Sequence, residues 1–223
     1  MSAQTKYGLI GSSGRLGSEV KNVFAENNFD LVFEFDVNGE KRSVAGEVPE
    51  VLIDCSLPEV FSKSVKYAIE FNVPFIIATT GLGGDQINEL KKLALEVPVV
   101  QSYNYSIGIQ ILLKLTELAN EKLAGWDVEI CETHHRFKKD KPSGTAKMIK
   151  NIFGNREVNI SSLRLGNIAG DHTVSFGGLG EVLSISHSAT SRRTFAEGIL
   201  NSAVFVKNKK NGFYSFSDVV FGK

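Results

Sequence analysis

Net charge is what this chain has least of: 25 lysines and arginines meet 25 aspartates and glutamates. Without an overall charge there is no long-range field to gather nucleic acid or a membrane surface, so any attraction for an anion must be local. Cysteine is scarce too, with two in 223 residues. Cys55 and Cys131 sit at the ends of apolar strand-like runs, a setting for buried reduced thiols rather than a disulfide. No apolar run approaches the roughly 20 residues of a membrane helix. The opening MSAQTK lacks the apolar core of a secretion signal, so a cytoplasmic protein is expected. Internal repeats and low-complexity segments are missing as well. What remains is ordinary globular composition, 42% hydrophobic and 22% charged, and enough chain for one large or two small domains.

The first hundred residues alternate between two periods. Strand-like runs occupy Lys6–Ile10, Leu31–Asp36, Val51–Cys55, Pro74–Ala78 and Pro98–Gln101. Between them lie helical faces: Leu16, Val20, Val23 and Phe24; Phe61, Val65, Ala68 and Ile69 behind Pro58; and the segment Ile87–Ala94. Asn38-Gly39 marks a turn after the second strand. Strands and helices alternating over short connections predict a parallel sheet covered on both faces, a doubly wound, Rossmann-like α/β domain. From Ser106 the pattern changes. Ile107, Ile111, Leu115 and Leu118 mark the face of a long helix, and strands are predicted at Asp127–Thr133, Ile160–Leu165, His172–Phe176 and Glu181–His187. This predicts a second, α+β domain on a mixed or antiparallel sheet. A helix over Arg193–Val206 and a strand over Phe213–Phe221 would rejoin the first domain. The expected division is 1–105 plus 192–223 for dinucleotide binding, and 106–191 for substrate binding and oligomerisation.

Chemistry concentrates in a few places. YGLIGSSGRLG reads as strand, glycine turn and helix start, the usual cradle of a dinucleotide pyrophosphate. Gly11 and Gly14 allow a tight turn and close backbone approach, Ser12, Ser13 and Leu16 line it, and Arg15 can lie over the cofactor. Asp36 ends the second strand about 20 residues on, where it suits ribose hydroxyls and repels a 2′-phosphate. Lys41 and Arg42 follow closely and can bind a phosphate, so NADH and NADPH both stay open. Ala78-Thr79-Thr80 and Ser102-Tyr103-Asn104-Tyr105 follow strand ends, where open α/β sheets bind ligands.

The segment ETHHRFKKDKPSGTA, 132–146, joins two histidines and four cations to a turn leading into the helix-like AKMIKNIF. A proton carrier, fixed positive charge and free N–H groups at a helix start describe a site for a small anion. A zinc site from Cys131, His134 and His135 is disfavoured, since adjacent side chains on extended backbone point apart and no second ligand pair has metal spacing. No metal is expected.

With these residues the chain resembles the dihydrodipicolinate reductase family along nearly its whole length. GSSGRLG stands for the family's glycine-Arg-Met-Gly turn, ATTG for its Gly-Thr-Thr-Gly loop, and SYNYSIG for its Asn-aromatic-Ser-x-Gly segment. ETHHRFKKDKPSGTA matches its long signature, the most specific of the set, and HSATSRRTFAEG matches a later His-x-Ala-x-Ser-Arg stretch. Departures are Leu16 for Met, Ala78 for Gly, a shorter stretch between the second and third strands, and Val37 where many members carry Arg. The resemblance implies NADH- or NADPH-dependent reduction of a small cyclic dicarboxylate in lysine biosynthesis, by a homotetramer; domain closure is expected because the two halves of the site lie in different domains. His134 is the candidate acid/base, Lys138 the carboxylate holder or second proton donor, and His135, Gly144 and Thr145 the further substrate contacts. Arg15 and Arg192 are secondary candidates. Two other readings compete: a semialdehyde dehydrogenase, which needs a nucleophilic cysteine, and a dinucleotide-binding redox sensor, which needs no proton donor.

Overall fold

The computed structural model describes residues 4–42 and 46–222. The chain divides into two compact units, Met1–Tyr105 with Arg193–Lys223, and Ser106–Arg192. Arg192 therefore belongs to the second unit, not the first.

In the first unit, β1 (Thr5–Ile10), β2 (Phe29–Asp36), β3 (Gly39–Arg42), β4 (Val51–Asp54), β5 (Phe75–Ile77), β6 (Pro98–Gln101) and β11 (Gly212–Ser215) form one sheet. Its order is β11-β6-β5-β4-β1-β2-β3, and every neighbouring pair is parallel except β2 and β3. The Asn38-Gly39 signal turns the chain into β3, a hairpin strand the periodicity did not predict, with Asp36 opposite Gly39.

Successive strand residues serve opposite faces, as a sheet buried on both sides requires. Leu52, Phe75, Ile77 and Val99 pack against α2 (Phe61–Phe71) and α3 (Gly84–Leu93). Ile53, Ile76 and Val100 pack against α1 (Arg15–Glu26) and α6 (Arg193–Val206). The α2 face is rotated from the expected one: Ile69 is 61% exposed, and Tyr67 and Phe71 turn inward against Phe33, with ring centroids 4.8 and 4.9 Å away. Two edge-to-face aromatic contacts outweigh the burial of one isoleucine.

The predicted strand over Phe213–Phe221 ends early. Ser215 caps α7 (Phe216–Phe221), its hydroxyl accepting from Asp218 N at 3.2 Å while Asp218 accepts from Ser215 N at 2.8 Å. This reciprocal box starts a helix where the apolar run alone reads as strand.

The second unit contains α4 (Ile107–Lys122), β7 (Asp127–His134), α5 (Gly144–Asn151), β8 (Asn159–Arg164), β9 (Asp171–Gly177) and β10 (Val182–Ser188). Its sheet is mixed, in the order β10-β9-β7-β8, with β7 and β8 parallel. Ile130, Val174 and Phe176 meet Leu112, Ala119, Ala146 and Ile149 in one core. Here the predicted face of α4 is reversed. Ile109, Leu112, Thr116 and Ala119 are buried, whereas Ile107, Ile111, Leu115 and Leu118 are 43–55% exposed.

Both cysteines are free thiols and half-buried rather than fully buried. Among the described residues no helix is long and apolar enough to cross a membrane.

Candidate active site

The first unit presents its candidate residues at the carboxyl ends of the parallel strands. Gly11 turns the chain at φ +80°, and a Cβ there would stand 2.7 Å from the Cys55 carbonyl oxygen. A Cβ on Gly17 would lie 2.2 Å from the Gly11 carbonyl, so glycine at 17 lets α1 start against the turn. Gly14 caps α1 with no side-chain acceptor and no acidic residue in the first turn, leaving its N–H groups for an anion. Ser13, Gly14 and Arg15 are exposed and Leu16 half-buried. Ser12 is buried, and its hydroxyl donates to Asp36 at 3.2 Å. Asp36 also accepts from Asn38 N at 2.7 Å, and this backbone bond, with the Ser12 and Ser13 hydroxyls, holds its carboxyl below the usual range. Glycine turn and acidic strand end are thus joined directly. Val37 beside them is 94% exposed, and the Arg42 side chain lies outside the described residues.

The two following loops divide between surface and interior. Thr80 is exposed, Tyr103 is 37% exposed, and Ala78 and Asn104 are half-buried. Thr79 turns inward instead, donating to the buried Asp54 at 2.9 Å. Ser102 donates to the Asn104 carbonyl at 2.8 Å and so shapes its own loop. The Tyr105 ring is buried and its hydroxyl donates to the Ile77 carbonyl at 2.9 Å, so this side chain fastens the loop and offers no surface to a ligand. Asp54, which sequence reasoning missed, also accepts from the amide and hydroxyl of Ser56 at 2.8 and 2.5 Å. Burial pushes its carboxyl up despite these donors.

The second unit's site is built on β7. Alternation along the strand puts Ile130, Glu132 and His134 on the buried face and Cys131 on the other. Sheet register then brings in neighbours distant in sequence: Glu132 lies opposite His172 on β9, and His134 opposite Arg164 on β8. His134 Nδ1 is 2.5 Å from Glu132 Oε2. Arg164 forks onto both Glu132 oxygens at 2.9 Å, and Ser143 N donates to Oε1 at 3.2 Å. Ser143 also caps α5, its hydroxyl accepting from Ala146 N at 3.1 Å with His172 Nε2 at 3.2 Å. Gly144 and Thr145 open that helix, whose first turn carries no acidic residue.

Burial tends to raise the Glu132 carboxyl, but the Arg164 fork, Ser162 and His134 overcome it and hold it at about 2. Burial also lowers the His134 imidazole; Glu132 opposes this, and the Lys138 and Arg164 charges reinforce it. Burial lowers His172 to about 3, with His134, His187 and Lys138 reinforcing it and Glu132 opposing it. Lys138 is half-buried and pairs with the exposed Asp140 at 2.7 Å. Such a partner is worth little in water and is readily exchanged for another carboxylate. His135 is half-buried on the turn, with its ring 6.4 Å from Phe137. Among the described residues no group of three or more His, Cys, Asp or Glu is arranged to hold a metal.

A proton carrier, an exchangeable cation and a helix start thus follow one another between the end of β7 and the start of α5, in a unit separate from the glycine cradle. Residues 5–105 match dihydrodipicolinate reductase, N-terminus, and residues 108–220 match dihydrodipicolinate reductase, C-terminus. The chain belongs to the dihydrodipicolinate reductase family. Among relatives, the 4-hydroxy-tetrahydrodipicolinate reductase of Thermosipho africanus (strain TCF52B) is 45% identical over 215 residues, covering 96% of this chain and 97% of its own. That of Caldanaerobacter subterraneus subsp. tengcongensis is 35% identical over 243 residues, covering 95% and 96%. The fold matches that of dipicolinate-bound dihydrodipicolinate reductase from Paenisporosarcina sp. TG-14, with TM-score 0.74, 23% identity and 95% and 97% coverage. The family's two parts meet where the units first divide, after Tyr105, but its C-terminal part continues through α6 and β11 of the first unit.

Proposed function

We propose that this chain is an NAD(P)H-dependent 4-hydroxy-tetrahydrodipicolinate reductase, forming tetrahydrodipicolinate in the diaminopimelate route to lysine. The observation that carries the reading is the buried His134, held by Glu132 beside the Ser143-Gly144-Thr145 helix start. The glycine cradle fits a dinucleotide, since a Cβ at 11 would strike the Cys55 carbonyl and one at 17 the Gly11 carbonyl, so glycine at both keeps the turn tight against its neighbours. Residues Gly11, Ser12, Ser13, Gly14, Arg15, Leu16 and Asp36 would hold it, with loops 78–80 and 102–104 beside them. The nicotinamide supplies a hydride.

The chain's own residues do the rest. Gly144 and Thr145 at the α5 start receive one substrate carboxylate, and Lys138 leaves Asp140 for the other. His135 hydrogen-bonds the substrate. His134, neutral in the resting site, takes a proton and delivers it from Nε2 as the hydride replaces the substrate's 4-hydroxyl, which leaves as water while the ring C=N is kept. An acyl-transferring semialdehyde reading finds no activated thiol: Cys131 faces away from Glu132 and His134, and burial pushes the Cys55 thiol up. Asp36 and the exposed Val37 disfavour a 2′-phosphate, which supports NADH over NADPH. A cytoplasmic homotetramer completes the reading.

The test is oxidation of NADH and of NADPH at about 340 nm, from the nicotinamide chromophore, with substrate generated in situ by dihydrodipicolinate synthase. Rapid substrate-dependent oxidation, faster with NADH, is expected; binding of a dinucleotide without turnover would favour a sensor. His134→Gln should lower turnover roughly 10²–10⁴-fold with cofactor affinity retained. Lys138→Ala should raise the substrate KM.

A further inference from the structure

Both oxygens of Glu132 are fully used. Oε1 accepts from Arg164 Nη2 and Ser143 N, and Oε2 from Arg164 Nη1 and His134 Nδ1. The side chain is wholly buried, and an ionised carboxylate can only accept. His134 Nδ1 must therefore carry a hydrogen whether the ring is neutral or charged, and Nε2 alone is left to exchange protons. Gly170 packs beside Nε2, and a Cβ there would come within 3.0 Å of it, so glycine at 170 keeps a side chain off the reacting nitrogen. The same carboxylate reaches the substrate cradle, since Ser143, whose amide it binds, is the N-cap of α5.

We propose that Glu132, locked by Arg164, is the positioning residue of this site: it fixes the His134 tautomer and ties the imidazole to the turn that opens α5. The proposal rests on the reading of His134 as the acid. An anion at Nδ1 stabilises the imidazolium that forms each time Nε2 takes up a proton. Its register to Ser143 keeps the acid and the carboxylate cradle at one separation. The charged and titratable groups facing His134 are Glu132 on β7, Arg164 on β8, His172 on β9 with its ring 5.2 Å away, and Lys138 and Asp140 on the following turn. Of these, only Glu132 contacts the ring nitrogen opposite the reacting one.

The experiment combines imidazole ¹⁵N NMR of the intact enzyme with kinetics of Glu132→Gln, Glu132→Asp and His134→Gln. In the wild type, neutral His134 should carry its hydrogen on Nδ1. Glu132→Gln should lower kcat about 10–10²-fold, move the His134 limb of the kcat profile to lower pH and leave cofactor KM unchanged. Glu132→Asp keeps the charge for Arg164 while withdrawing it from His134, so it should fold and share the kinetic defect. An Nε2-protonated wild type, or a Glu132→Asp enzyme with unchanged kcat and pH profile, would overturn the proposal. Full turnover in His134→Gln would instead sink the acid reading, and the NMR result would still judge the positioning role.

Discussion

Gly198 lies within α6, where helix propensity alone favours alanine by about 1 kcal/mol. The local geometry reverses that preference. A Cβ at 198 would stand 1.8 Å from the Tyr105 carbonyl oxygen and 2.8 Å from the Phe216 ring, and the carbonyl is backbone that cannot swing aside. Gly198→Ala should therefore destabilise the enzyme by about 2 kcal/mol or more, read as a lower denaturant midpoint. Because Tyr105 closes the 102–105 loop, cofactor KM should rise as well. The same contrast between local and distant information separates the site residues that can be read in sequence from those that cannot. His134, Lys138, Gly144 and Thr145 share one run of fifteen residues, where charge, imidazole and turn chemistry stand side by side. Glu132 was within reach, two residues from His134 and so on the same strand face. Arg164 and His172 belong to other strands and enter only through register, which no single-strand pattern encodes.

At the scale of elements, α4 carries aliphatic side chains on two opposite faces, and spacing alone does not say which is buried. Ile107, Ile111, Leu115 and Leu118 make the more regular stripe yet lie outward, while Leu112 and Ala119 meet Ile130 and Phe176. Leu112→Ala should cost about 2–5 kcal/mol. Leu115→Ala should cost under about 1 kcal/mol, as for a side chain that is half solvated. Equal losses in parallel denaturant titrations would mean that the outer stripe is covered in solution. The parallel strands of the first unit were legible because strands buried on both faces read as short apolar runs punctuated by glycine and proline. β3, with the sequence GEKR, has no apolar pattern to betray it; a two-residue turn and pairing with β2 create it.

For the whole molecule, the buried titratable groups set an acid limit. His172 is lowered to about 3, burial likewise lowers His134 and His187, and Glu132 is held at about 2. A depressed histidine means that the unfolded chain binds the proton better. Stability is therefore full above about pH 6.5 and declines as pH falls toward 3, by about 1.4 kcal/mol per pH unit for His172 alone. Glu132 acts in the same direction, its share present above about pH 4.5 and lost as pH falls through 2, so the decline steepens below pH 4.5. Melting temperature should fall on acidification from pH 7 to 5, and His172→Asn should flatten that slope whatever it does to stability at neutral pH. The path of the chain has a consequence for its birth on the ribosome. The second unit is one uninterrupted stretch, but the first needs α6, β11 and α7 to cover Tyr7, Phe24 and Ile53. The half that begins first can only finish last: β1 to β6 emerge with one sheet face covered by α1 alone and must wait, partly exposed to chaperones and stray partners, until the last thirty or so residues follow.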